Sequence, residues 1–204
     1  MPTSVALKLK PKKISKQEFL FTLDEYLKKE TRSVEKHEFY NGKIIPMPGG
    51  RSTHNEIALS IGSEIRFALK AQPKKYHVYN SDQKIYIQAE NTVLYPDAVV
   101  ICEAPEFWNG REDLIVNPLV IVEVLSRSTS KYDREGKFMK YQTLPSFMEY
   151  ILVEQTKPEV ESWYRIEKDT WNKTVCKDLN AFINLRSLDI SIALREVYEH
   201  IEFK

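Results

Sequence analysis

The sequence predicts an α/β (α+β) fold: a mixed central β-sheet flanked by helices, preceded by an N-terminal helix and hairpin. Three observations predict it. His37 to Met47 reads HEFY, Asn41-Gly42, KIIPM, the pattern of a tight hairpin. Leu119 to Leu125, LVIVEVL, is almost wholly apolar, as expected of a strand buried on both faces. The order of the central part is helix, three strands, helix, strand, which suits a layered sheet.

Each element has its own signals. Ser15 to Glu30 carries Phe19, Leu23, Tyr26 and Leu27 at helical spacing, with Ser15 and Glu18 as a capping box. Thr53 to Ala71 sets Ile57, Ala58, Ile61, Ile65, Ala68 and Leu69 on one stripe, with Thr53 and Glu56 as a second capping box and Pro73 beyond the end. Val78 to Gln88 reads as a strand, and Tyr95 to Cys102 as another with Pro96-Asp97 at its start. Glu103 to Pro118 reads as a polar loop. Ser130 to Leu144 is predicted helical, capped by Ser130 with Asp133 and closed by Pro145. Met148 to Glu154 and Val160 to Ile166 are two further strands, and Leu179 to Phe203 mixes short apolar runs with charges.

Composition narrows the function. A chain of 204 residues suits one domain, taken as 17–204 behind a basic tail, 1–16, that carries Lys8, Lys10, Lys12, Lys13 and Lys16. No apolar run approaches the roughly 20 residues that span a bilayer, and the N-terminus lacks the apolar core of a signal peptide, so a cytoplasmic protein is expected. Two distant cysteines and four scattered histidines do not suggest a zinc site or a disulfide framework. A net charge of +1 gives no global basic signature of a nucleic-acid partner. There is no GxGxxG and no Walker loop, so no organic cofactor is implied.

The chemistry concentrates in two acids. Glu123 interrupts the most apolar strand, and burying a lone carboxylate is costly unless it is paired, protonated or metal-bound. Asp97 opens the neighbouring run, PDAVVIC. If those strands pair, they lie roughly 4.8 Å apart and the two side chains converge. Two carboxylates brought together raise each other's pKa unless a cation lies between them, and Mg²⁺ or Mn²⁺ suits an all-oxygen site. An ion pair with a nearby Lys or Arg explains the same pair structurally.

The segments HEFYNGKIIPMPGG, STHNEIAL, NSDQKIYI, YPDAVVI, IVEVLSRSTSKYDREGKF and YILVEQ resemble the Uma-two family of restriction endonucleases, within the PD-(D/E)xK nuclease superfamily, from about Leu23 to about Tyr164. The resemblance implies a restriction-endonuclease-like αβββαβ core, a carboxylate-bound divalent metal and phosphodiester hydrolysis, with DNA as substrate and a homodimer as the assembly. It maps the motif acids onto Asp97 and Glu123, with the backbone of Val124 beside them as a metal ligand. The family's lysine position, two residues after the second acid, holds Leu125 here.

Helical geometry selects a replacement. Phe138, Tyr141 and Leu144 mark the inner arc of the following helix, and Lys137 falls about 40° from its centre at 100° per residue, whereas Lys140 falls near 100° away. Lys137 is therefore expected to face the acids as the catalytic lysine. Secondary candidates are Glu38, as a further acid from the hairpin, His54, in the first turn of its helix, and Gln83, as a contact to water or DNA. Glu56 and Asp133 are expected to be helix caps, and Ser126, Ser128 and Ser130 to shape a turn. Leu125 also favours a second expectation: a catalytically degenerate DNA-binding or protein-interaction module on the same fold. A metal-dependent hydrolase of some other phosphate ester is a third.

Overall fold

In the computed structural model, which describes residues 20–203, Thr22 opens α1 (Leu23–Glu30). Its hydroxyl accepts from the Glu25 amide while the Glu25 carboxylate accepts from the Thr22 amide, satisfying two end donors reciprocally. The helix thus starts later than the pattern suggested, and Ser15 and Glu18, like the basic tail, lie outside the described residues. The hairpin of β1 (His37–Tyr40) and β2 (Lys43–Pro46) forms as expected. Asn41 and Gly42 both take positive φ, 43° and 96°, the conformation a two-residue turn demands.

The long amphipathic helix is α2 (Ser52–Ala68), continued by a 3-10 turn, Leu69–Ala71. Ile57, Ile61 and Ile65 are its fully buried ridge, each worth roughly 1.5–3 kcal/mol of transfer energy. The Thr53–Glu56 capping box does not form. Arg51 occupies the cap position, and no side chain closes the first turn.

Where one strand was expected over Val78 to Gln88, there are two: β3 (Tyr76–Asn80) and β4 (Lys84–Ile87). Asn80 turns the chain between them, accepting the Gln83 amide on its carbonyl and the Asp82 amide on its side chain. The two strands belong to different sheets, so the single mixed sheet becomes two sheets and a hairpin. β5 (Thr92–Leu94) precedes β6 (Ala98–Cys102), which begins one residue after Asp97. The loop after it contains β7 (Leu114–Ile115), parallel to β4. Next come β8 (Val120–Leu125), β9 (Glu149–Glu154), β10 (Val160–Glu167), β11 (Thr170–Cys176), the hairpin of β12 (Phe182–Leu185) and β13 (Ile190–Ala193), and α5 (Leu194–Val197).

The larger sheet runs β11-β10-β9-β8-β6-β3 and the smaller β2-β1-β5-β4-β7. In the larger sheet only β8 and β9 are parallel, because a helix bridges them. Reading α2, β3, β6, β8, that helix and β9 along the chain gives the αβββαβ core, with β4 and β5 inserted between its first two strands. One face, with Val100, Val122 and Ile151, packs under α2 and the β12–β13 hairpin. The other, with Val99, Ile121, Leu125 and Leu152, carries the aromatics Phe138, Tyr141, Phe147 and Tyr150. Glu149 is wholly buried, yet its carboxylate accepts from the hydroxyls of Ser162 and Ser187 and the amides of Arg186 and Ser187, tying the C-terminal hairpin to the sheet.

The bridging helix is irregular. Thr129 caps α3 (Ser130–Tyr132), so Ser130 is its first helical residue. A π-helical turn, Asp133–Lys137, follows, and α4 (Phe138–Tyr141) completes it. Asp133 is not a cap; it is buried inside the π turn.

Candidate active site

β6 and β8 pair antiparallel with Ala98 opposite Val122, and the Asp97 amide donates to the Val122 carbonyl at 3.1 Å. The ladder ends there, and Asp97 lies at the strand's edge beside Val122 and Val124. Asp97 and Glu123 line one cavity of about 940 Å³, together with Glu38, His54, Asp133 and Lys137. The strands that carry the two acids pair, and both acids border the same cavity.

Asp97 stands just beyond the last paired residue of its strand, which frees its carboxylate. One oxygen accepts from the Val124 amide at 2.6 Å, and the other lies 3.0 Å from Nε2 of His54. His54 comes from the first turn of α2. That hydrogen bond raises its pKa, against the lowering effect of burial.

Glu123 is 3% exposed and Lys137 7%. The Lys137 ammonium donates to both Glu123 oxygens at 3.1 Å, and the Tyr141 hydroxyl donates to one of them at 3.3 Å. The same ammonium lies 3.3 Å from Asp133 and 3.5 Å from Glu38. The inward lean predicted for Lys137 is thus observed. Lys140 instead reaches Glu90 at the periphery. Glu38 accepts a very short hydrogen bond from the hydroxyl of Tyr40.

Four carboxylates, Glu38, Asp97, Glu123 and Asp133, therefore surround one lysine and one histidine. Burial pushes the Glu123 carboxyl well above the usual carboxylate range. Lys137 opposes that rise, and the three neighbouring acids add to it. Burial alone would lower Lys137, but Glu123, Glu38 and Asp133 outweigh it and hold the amine firmly protonated. The Glu38 and Asp133 oxygens nearest that ammonium are buried and meet it as ion pairs, without a further hydrogen bond.

Four carboxylates outnumber the two basic groups among them. Among the described residues, no three His, Cys, Asp or Glu side chains form a complete ligand set. Mg²⁺ does not require one: it is commonly held by one or two carboxylates, waters and substrate phosphates.

Gln83 does not join this site. Its amide lies 3.4 Å from the carbonyls of Lys84 and Glu112, in the turn between the two sheets. Ser126, by contrast, shapes the turn before α3, accepting from the Thr129 amide. Asp133 and Tyr141 were missed as site residues. Asp133 stands four residues before Lys137, on the same side of the helix, and that spacing was a usable signal.

The geometry has counterparts. The chain is 32% identical over 171 residues to the uncharacterized protein sll1609 of Synechocystis, covering 84% of this chain and 96% of that protein. It is 31% identical over 180 residues to the uncharacterized protein slr1290 of the same organism, covering 88% and 92%. A crystal structure of a "putative nuclease belonging to DUF820" from Anabaena variabilis superposes with a TM-score of 0.70 at 18% identity, covering 88% of this chain and 98% of that one, and so shares the fold. Residues 23–195 match the Uma2 family, described as "Putative restriction endonuclease", a span that adds the C-terminal hairpin to the segments read from the sequence. The chain belongs to the Uma2 family and has its restriction-endonuclease-like fold.

Proposed function

We propose that this protein is a divalent-metal-dependent nuclease that hydrolyses phosphodiester bonds in DNA. The observation that carries the reading is that Asp97 and Glu123, from adjoining strands, line one cavity, with Lys137 held against Glu123. The family description and the fold support the phosphodiesterase class.

Asp97, Glu123 and the carbonyl of Val124 would hold Mg²⁺ or Mn²⁺. Val124 sends its amide to Asp97, and in an extended strand the carbonyl of a residue leaves on the same side as its amide. The cation supplies Lewis-acid polarisation of a phosphoryl oxygen and a lower pKa for water. The chain's own groups do the rest. The Val124 amide and His54 fix the orientation of Asp97 from two sides. Lys137 keeps a permanent positive charge at the floor of the cavity, where a phosphate accumulates negative charge as its bond to water forms. Tyr141 and Asp133 hold that ammonium and its carboxylate partner in place.

One observation favours a binding module without turnover. Leu125 is buried in the aromatic core, so the usual lysine position is closed. Cleavage of single-stranded and duplex DNA with Mg²⁺ or Mn²⁺ decides between the two. Turnover that is abolished in both Asp97→Ala and Lys137→Ala supports the nuclease. Absence of wild-type turnover on every DNA, with binding retained, supports the module.

A further inference from the structure

Resting on the nuclease reading, we infer that the cavity takes a single strand of nucleic acid, with one base stacked on Tyr132 and the flanking phosphates held by Arg51 and Arg127. Four features of the cavity lead there.

The first is depth. Glu123, Asp133 and Lys137 are almost fully buried at the cavity floor. A volume of about 940 Å³ lies at the upper end of small-ligand sites, roughly 300–1,000 Å³. Such a space admits a short stretch of one strand.

The second is the wall. Tyr132 is 37% exposed and lines the cavity, although large aromatic rings ordinarily bury more. Its position is fixed rather than loose. It stands edge-on to Tyr40, with centroids 5.9 Å apart, and its ring rests over Gly136, where a Cβ would lie 2.3 Å from it. Tyr40 is in turn anchored through Glu38. A held, accessible ring face is a stacking platform, and such platforms accept any base because every base has a π-face.

The third is an apolar part of the lining. Ile45 and Met47, from β2 and the loop after it, give the same cavity an apolar surface. A splayed base has an apolar neighbour there as well as the tyrosine.

The fourth is charge. The floor is acidic, but the cavity lining includes the exposed residues Arg51 and Arg127. Arg51 precedes α2 and Arg127 follows β8, so they come from separate elements. Neither guanidinium has a salt-bridge partner among the described residues. Cationic groups tracking a backbone beside an aromatic platform are the combination that single-strand binders use.

The test measures binding separately from cleavage. Fluorescence anisotropy with the full chain in EDTA would use a labelled 20-nucleotide DNA strand, its RNA counterpart and the same DNA sequence as a blunt duplex. Cleavage of each is then measured with Mg²⁺. The expected result is single-strand binding at least ten-fold tighter than duplex binding. Tyr132→Ala is expected to lose about ten-fold in single-strand affinity, and Tyr132→Phe to keep wild-type affinity, since stacking needs the ring and not the hydroxyl. A double Arg51→Gln, Arg127→Gln variant is expected to show a shallower salt dependence. Tighter or equal duplex binding, or an unchanged Tyr132→Ala affinity in a variant with a native urea midpoint, overturns the single-strand assignment and leaves the nuclease reading standing. Single-strand binding without cleavage of any strand supports the stacking site and overturns the nuclease reading. Absence of binding to every probe overturns the single-strand assignment, and absence of cleavage in Mg²⁺ as well overturns both.

Discussion

The ammonium of Lys137 stands 3.1 Å from each carboxylate oxygen of Glu123, 14 residues away along the chain and on a different element. Removing one partner of such a pair leaves the other buried and uncompensated. Lys137→Met is expected to destabilise the protein by about 3–5 kcal/mol at pH 8. The loss should shrink as pH falls. Glu123 has a raised folded-state pKa, and without the lysine it rises further, so the native state takes up a proton that the unfolded state lacks. The stability gained from that proton is fully present below the ordinary glutamate value and disappears as pH rises through the folded one. Urea midpoints of wild type and variant at pH 5 and pH 8 measure the difference. An equal gap at both values would contradict it.

His54 holds Asp97 and touches no reacting atom in this arrangement. His54→Ala is expected to raise the Mg²⁺ concentration needed for half-maximal cleavage by about 10–100-fold, the usual effect of losing a group that orients a metal ligand. Asp97→Asn is expected to abolish cleavage at every Mg²⁺ concentration. A metal titration of the cleavage rate separates the two effects.

Gly136 lies beneath Tyr132 within the π turn. Gly136→Ala forces the ring to move, at a cost of about 1–3 kcal/mol. In a Tyr132→Ala background the same substitution should cost nothing, or stabilise slightly through helix propensity. A double-mutant cycle on urea unfolding gives the coupling directly; additive effects would show that the ring yields freely.

Glu161 accepts from Arg134 at 2.9 Å and lies 2.7 Å from the Lys173 ammonium. Burial pushes its carboxyl up, but Lys173 and Arg134 outweigh burial and hold it below the usual range. Its stabilising contribution is therefore present above the ordinary glutamate value and is lost as pH falls through the lowered one. Glu161→Gln should cost about 1–3 kcal/mol at pH 7, with the gap to wild type closing below about pH 4. Urea midpoints across pH 3 to 7 test this.

The site was more legible in the sequence than the sheet that carries it. Glu123 announced itself because a charge inside LVIVEVL needs a partner, and Asp97 because it opens the adjoining apolar run. Lys137 followed from angular position alone. The sheet was misread where local pattern and long-range pairing diverge. Val78 to Gln88 looks continuous because both of its halves are strand-like, and only the Asn80 turn separates strands that pair with distant partners. β7 is two residues long and owes its existence to β4, so nothing local marks it. Gln83 was placed near the acids because it precedes Asp97 in sequence, but the inserted strands carry it away. Asp133 carries the capping signature of three-residue spacing from a serine, and a π turn leaves no signature of its own.

The π turn makes the length of that helix a matter of register. It holds one residue more than a regular α-turn, and this surplus lets Asp133 and Lys137 serve the polar floor while Phe138 and Tyr141 still seat among the rings of the core. A one-residue deletion within Asp133–Lys137 would remove the surplus and leave a regular α-turn, changing the angle between Asp133 and Phe138 by about 100°. Either the aromatic packing or the lysine would then lose its address. In this stretch the number of residues matters as much as their identity.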